Sequence, residues 1–507
     1  MQLHLYNDHL ANNLWQQSGN LFFMGRVFQN GVRLELNEIS RIIEKSLGNK
    51  NKLKKILGGF DGNFALIFKK ENELIATVDI CRSIPLAFDH NCIYALGATG
   101  QLAINQNTLG DLPKLEALQA NLSLFKEVKQ LQAGEYLLIS EGRAECISYF
   151  DHFRNEQPIS IEKAKDDFAK IIDKMGEQIV DLLNGKKALV PLSGGYDSRF
   201  ILALLKNKGY NNVLAFTYGQ PEGFEAQTAK KVCEQLAVDW RLIEYNRDLF
   251  EETDLGEFSN YCKYASAFGS VPQEQEYWAL KQLSQDLDSE ECVVLPGFCG
   301  DVQAGSFIPD KFFESKWYKN KVSPKEYLKE GYSRGVEIEA SDETFEDFWA
   351  FYSHLEEWIL RERESKYIIN GVRAYEFFGF DWYLPLWQKD FIKFWQMVPS
   401  AYRRDKALYI EVLNEKLFKP QEIDFKSGGF DSRFKSGGVN TYLRYVLPKG
   451  LKTGLKKLLI PKNEIEINNL NYFAQSLGKE MGKALDEETL VVNEIVGEYL
   501  AYLFKNN

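Results

Sequence analysis

Nowhere in this chain do apolar residues run for the roughly 18 positions that a membrane-crossing helix needs. The first ten residues, MQLHLYNDHL, lack both the basic start and the apolar core of a secretory leader, so a cytoplasmic location is the expectation by elimination. A surplus of positive charge is missing too. Against 61 Lys and Arg stand 72 Asp and Glu, a formal net charge of −11 over 507 residues. That balance argues against broad electrostatic binding of nucleic acid, which relies on surplus Lys and Arg facing phosphates. The seven cysteines are odd in number and scattered, at 81, 92, 146, 233, 262, 292 and 299, and no pair has CxxC or metal-ligand spacing. Reduced thiols are therefore expected. Apolar side chains are plentiful at 45%, enough to fill real cores, and the length suggests two or three domains.

Residues 1–150 read as short strands: FALIFKK (64–70), ELIATVDI (73–80), CIYALGA (92–98) and GEYLLIS (134–140), broken by Gly and Asn. An all-β or α+β sandwich is expected there. The stretch 154–158 reads as a linker. From Ile159 the period changes to that of a helix of about six turns. Then strand and helix alternate: ALVPL (188–192), a helix from Ser198, VLAFTYG (213–219), EAQTAKKVCEQLA (225–237) and WRLIEY (240–245). Such alternation predicts an α/β fold with a doubly wound parallel sheet. Beyond residue 310 the chain is mostly helical and rich in aromatics.

The turn after ALVPL is Ser193-Gly194-Gly195-Tyr196-Asp197-Ser198. Glycines let the backbone approach a ligand closely, and the free N–H groups at a helix start point at negative charge. The two serine hydroxyls add donors. Asp197 repels phosphate, so its fitting role is to hold Mg²⁺ against one. A near copy, Ser427 to Ser432 (SGGFDS), follows the polar KPQEIDFK and leads into more glycines, so it lacks the strand–helix context and is expected to be a flexible loop.

ALVPLSGGYDSRFILALL resembles the pyrophosphatase loop of the PP-loop ATP pyrophosphatases, and the chain resembles the asparagine synthetase / β-lactam synthetase branch over most of its length. Thr217 to Ala237 resembles the strand and helix beside the family's adenosine pocket. VVLPGFCGDVQAG (293–305) resembles its "GEGADELFGG" turn, which implies Gly297 near the ribose and Asp301 at a second magnesium position. GFDWYLPLWQKDFIKFW (379–395) resembles "GLEARVPFLD", with Asp381 at the glutamate, and Asp424–Phe430 resembles the loop that carries the catalytic lysine, here Lys426. The resemblance implies ATP and Mg²⁺ as cofactors. It places Leu192, Ser193, Gly194, Gly195, Asp197, Ser198, Thr217 and Gly297 at the nucleotide, Asp197 and Asp301 at the metal, and Lys426 and Asp381 at the chemistry. Phe298 stands where the family has glutamate or tyrosine, and phenylalanine excludes general-base work at that position.

Residues 1–155 resemble the family's class II glutamine amidotransferase domain, of N-terminal-nucleophile type, through GGFDGNFALIF (58–68) and DICRSIPL (79–86). A glutaminase of that type uses a cysteine as residue one. Here Met1-Gln2 occupy the start, and a degenerate domain without glutaminase activity is the expectation, followed by a ligase domain over 156–507. The implied reaction joins a small carboxylate to ammonia or an amine through an acyl-adenylate, with a uronic-acid sugar of surface-polysaccharide pathways as the first substrate class. Alternatives are an intramolecular cyclase resembling β-lactam synthetase or lasso-peptide cyclases, a tRNA-modifying PP-loop enzyme, and a non-catalytic nucleotide-binding protein. The segment 433–462 carries eight basic and no acidic residues, with Leu451, Leu455, Leu458 and Leu459 at helical spacing. It is expected either to pack as a solvated amphipathic helix or to dock an anionic sugar or carrier. No nucleic-acid partner and no transmembrane segment are expected, and a homodimer stays open.

Overall fold

Residues 188–190 are apolar and buried on both faces, as only a central parallel strand allows, and they form the middle of a five-stranded sheet. The computed structural model describes residues 2–5, 15–70, 73–97, 102–332, 336–425, 470–485 and 491–506. The strands are β1 (Lys187–Pro191), β2 (Val213–Gly219), β3 (Asp239–Glu244), β4 (Cys292–Val294) and β5 (Asp381–Trp382). All pair in parallel, in the order β3-β2-β1-β4-β5, with Leu189 opposite Leu214 on one side and Val294 on the other. The chain thus grows outward from β1 in one direction, then returns to add β4 and β5 on the other. In open parallel sheets such a reversal leaves a crevice at the carboxyl ends of the two strands beside it, here β1 and β4.

Three helices accompany the strands: α1 (Ile161–Leu183), α2 (Tyr196–Asn207) and α3 (Phe224–Leu236). In α1, Ser160 caps the start by accepting from the Lys163 N–H (3.2 Å), and Ala164, Phe168, Ile172, Met175, Ile179 and Leu183 form its buried stripe. The second helix is buried all round from Ser198 to Leu205. Its N-cap is Gly195, which offers no side-chain acceptor, so the first N–H groups stay available to a ligand. Every one of these elements lies within about two residues of its expected span.

The N-terminal region is sheet-rich. One six-stranded antiparallel sheet runs in the order 143–148, 135–140, 73–78, 64–70, 21–25, 16–18, and a four-stranded mixed sheet joins 2–4, 92–94, 87–88 and 129–130. The expected strand at 92–98 ends at Tyr94. Residues 154–158 depart from the expected linker. They have no regular structure but are bound down: Asn155 N–H donates to Gln396 O (3.0 Å) and Gln157 N–H to Met397 O (2.8 Å). The Arg154 side chain, only 3% exposed, pairs with Glu356 (3.3 Å). Two of these bonds come from the backbone and only the Arg154 pair from a polar side chain.

The two halves share an edge. Strand β5 ends the sheet, and N-terminal residues bind it and the chain that follows it. Arg26 donates to Trp382 O (2.9 Å) and pairs with Asp381, Asn63 Oδ1 accepts from the Leu384 N–H (3.1 Å), and Asp61 Oδ1 accepts from the Lys389 N–H (3.0 Å). The C-terminal helix Val492–Lys505 also crosses to the N-terminal region, with Gly497 lying against Pro113 so closely that a Cβ would stand 2.9 Å from its Cα. Among the described residues no helix is long and apolar enough to cross a membrane.

Candidate nucleotide site

The loop 193–198 leaves β1 at its carboxyl end and starts α2. Its serines hold one another: the Ser193 N–H donates to Ser198 Oγ (3.1 Å), the two hydroxyl oxygens are 3.1 Å apart, and the Gly195 N–H donates to Ser193 Oγ (3.2 Å). Leu192 is buried and pinned to β2 through its N–H to Phe216 O (2.8 Å), while its carbonyl accepts from the Thr217 hydroxyl (2.7 Å). That hydroxyl also accepts from Trp240 Nε1 (2.9 Å), so Thr217 anchors the loop's entry. Gly194 packs against Phe224, where a Cβ would meet the ring at 2.8 Å.

The turn after β4 closes on this loop. A Cβ on Gly297 would stand 2.6 Å from the Ser198 nitrogen and 2.7 Å from the Asp197 carbonyl carbon, and one on Gly300 would stand 3.0 Å from the Asp197 carboxylate. Glycine is required at both positions because a side chain there would run into the loop. Between them Cys299 holds a left-handed φ of 66°, its thiol donating to Glu364 (3.0 Å). The Asp301 N–H donates to Asp197 Oδ2 (2.8 Å), and the Tyr409 hydroxyl donates to Asp197 Oδ1 (2.7 Å). Burial, and then the neighbouring Asp301, push the Asp197 carboxyl upward. The Asp301 side chain is 39% exposed, and Lys406 Nζ lies 3.8 Å from its Oδ2. Residues 104 positions apart in sequence thus place two carboxylates side by side at the reversal between β1 and β4.

Seven of the expected nucleotide and metal positions therefore meet: Ser193, Gly194, Gly195, Asp197, Ser198, Gly297 and Asp301, with Leu192 and Thr217 anchoring them from behind. Asp381 lies elsewhere, on β5 opposite Val293, with Arg26 on its carboxylate. Lys426, the second loop 427–432 and the basic segment 433–462 lie outside the described residues. Three residues that sequence reading passed over stand at the site: Tyr409, Lys406 and Arg199. Arg199 is fully buried and donates to Gly194 O (3.1 Å), Ile423 O (3.1 Å) and Phe425 O (2.6 Å). It ties the loop to the chain that approaches residue 426. Its place right after Ser198, in an otherwise apolar helix, was the one available signal.

Residues 187–256 match the family described as queuosine biosynthesis protein QueC. Curated proteins similar to part of the chain are 7-cyano-7-deazaguanine synthases. That of Stutzerimonas stutzeri (strain A1501) is 44% identical over 57 residues, 11% of this chain and 25% of that protein. That of Caldicellulosiruptor saccharolyticus is 42% identical over 59 residues, 11% and 26% of the two chains. That of Pseudomonas paraeruginosa is 41% identical over 63 residues, 12% and 28%. The chain spans about a quarter of the length of the curated relatives it matches. The QueC-like part runs from β1 through β3 and is a PP-loop ATP pyrophosphatase segment. It stops before the β4 turn, Asp381 and everything that follows.

Proposed function

We propose that this protein is an ATP-dependent, AMP-forming ligase that makes an amide from a carboxylate and ammonia or an amine. The observation that carries the reading is the pairing of Asp197 with Asp301 beside the QueC-like phosphate loop. The match to the QueC family supports ATP use by the loop and, because it ends at residue 256, does not bear on the acid.

The two aspartates fit Mg²⁺. They offer only oxygen, one carboxylate is buried and the other open, and the burial and then the repulsion from Asp301 that raise Asp197 are what a bound hard cation would offset. Bound there, Mg²⁺ supplies charge neutralisation for the pyrophosphate. The chain's own groups do the rest. The N–H groups at the start of α2 and the serine hydroxyls receive the phosphates. The substrate carboxylate attacks the α-phosphorus, pyrophosphate leaves, and the acyl-adenylate is opened by the nitrogen nucleophile. Lys406 stands beside the aspartates to balance the charge they gather. Lys426 is assigned, by resemblance, to the negative charge that develops during transfer, a role whose removal typically costs on the order of 10²–10³ in rate. Asp381 is assigned to the acid side by resemblance alone, since its carboxylate is paired with Arg26. A uronic-acid sugar is the first acid to try.

Phosphorus NMR of ATP incubated with the protein and a panel of uronic acids plus ammonium tests the reading. AMP and pyrophosphate are expected; ADP and orthophosphate refute it. Lys426→Ala is expected to lower kcat by about 10²-fold with little change in ATP affinity.

A further inference from the structure

The ligand-facing end of the sheet holds a second group of side chains that the nucleotide site does not use. Glu274 is 1% exposed, and neither carboxylate oxygen has a hydrogen-bond partner. Two residues on, Glu276 has its Oε2 sealed from solvent and unpartnered. The Tyr375 hydroxyl faces Glu276 without closing a bond of normal geometry. Among the described residues no lysine or arginine acts on either carboxylate. Both act on the same tyrosine, Tyr218, at the carboxyl end of β2.

Buried carboxylates are paired, as a rule, because an isolated one is costly. Two of them beside the same tyrosine, with no lysine or arginine among the described residues acting on either, make a setting that favours an incoming positive charge. The walls agree with that. Phe298 lies parallel to Tyr375, ring centroids 6.4 Å apart, and Tyr218, stacked on Tyr245 at 5.2 Å, stands near both carboxylates. Aromatic faces with carboxylates behind them suit an alkylammonium head. This setting also adjoins the nucleotide site through the chain itself, since Phe298 follows Gly297, which lies on the backbone of Asp197 and Ser198. Gln273 braces the far side by donating to Tyr367 O (2.6 Å).

We propose that Glu274 and Glu276 form the subsite of the nitrogen nucleophile, which enters as an ammonium or primary alkylammonium ion. This rests on the ligase reading above. The proton balance supports it. An ammonium must lose one proton before its lone pair can attack the acyl carbon. As the C–N bond forms and the acyl C–O bond breaks, with the electron pair leaving on AMP, the new amide nitrogen loses a second. Two carboxylates are present for two protons. Burial holds both carboxyls at about 7, well above the usual range and suited to accepting protons near neutrality. They stand in for the base that Phe298 cannot be.

The test reads binding, so it does not depend on turnover. The full chain is melted in ammonium, ethylammonium, tetramethylammonium and sodium chlorides at equal ionic strength. A saturable rise of a few degrees is expected with ammonium, with ethylammonium or with both. No rise is expected with tetramethylammonium, which has no N–H to donate. A rise with ammonium alone identifies ammonia as the nucleophile, and a rise with ethylammonium identifies a primary amine. The Glu274→Gln, Glu276→Gln double variant is expected to lose the rise. The same melting temperature in all four salts, or an undiminished rise in the double variant, overturns the inference. Should the double variant not fold, the comparison of ethylammonium and ammonium with tetramethylammonium in the parent decides alone. Failure to form AMP and pyrophosphate alongside an intact ammonium effect refutes the ligase reading and leaves the cation site standing.

Discussion

Replacing Glu274 by glutamine removes one charge from a place that burial makes unfavourable and keeps the shape. Burial raises the Glu274 carboxyl from 4.5 to about 7. At about 1.36 kcal/mol per pH unit that rise is worth about 3 kcal/mol. The folded protein keeps this proton between pH 4.5 and 7 while the unfolded chain gives it up, so the fold binds more protons and loses stability as pH rises through that window. Below that window both states are protonated and the group costs nothing; above it the full cost is present. The substituted side chain is neutral throughout. The Glu274→Gln variant is therefore expected to melt several degrees above the parent at about pH 8, in sodium buffers free of ammonium and amines, and to match it near pH 4. Differential scanning calorimetry at the two pH values measures both gaps. Equal melting under the alkaline condition, or a gap that does not change with pH, would show that Glu274 is paired or hydrated and that the argument from its burial is wrong.

Gly297→Ala places a methyl 2.6 Å from the Ser198 nitrogen; a loss of about 1–3 kcal/mol in stability and at least a roughly tenfold loss in ATP affinity are expected, by melting and titration calorimetry. Arg26→Ala strands the mostly buried Asp381 carboxylate and is expected to cost about 3–5 kcal/mol, seen as a lower melting temperature, with Asp381→Asn in that background restoring part of it.

The nucleotide half was legible because its signals are local. A strand buried on both faces is a continuous apolar run, a helix start is marked by Gly and Ser, and the alternation repeats through β3. Gly297 and Asp301 came from the resemblance of 293–305 to the family turn and not from such local signals. Contacts between distant charged residues were not legible. The run Arg361 to Lys366 reads as a solvated face, yet Glu362 and Lys366 are buried, where they bind the backbone of Leu118 and Ala120. Nothing in RERESK announces a partner some 240 residues away. Arg26 with Asp381, Arg154 with Glu356, and Tyr409 with Asp197 fail for the same reason: each forms only once the chain has folded. Glu274 and Glu276 were missed because a glutamate in QEQEYW looks like surface, and only the burial of Glu274 and of the Glu276 Oε2 atom shows otherwise.

The sheet's last strand borrows its bonds from Arg26 and Asn63, and this bears on how such a gene can evolve. Whatever chemistry residues 1–155 perform or have given up, deleting them would leave β5 as an open edge, a template for pairing with another chain. It would also leave Asp381, Lys366 and Lys389 buried or half-buried without their N-terminal partners. A lineage can therefore lose an activity from this region by point mutation far more easily than it can shed the region. Drift is free at its exposed turns, while Arg26, Asp61 and Asn63 are held in place by a neighbour that begins some three hundred residues later.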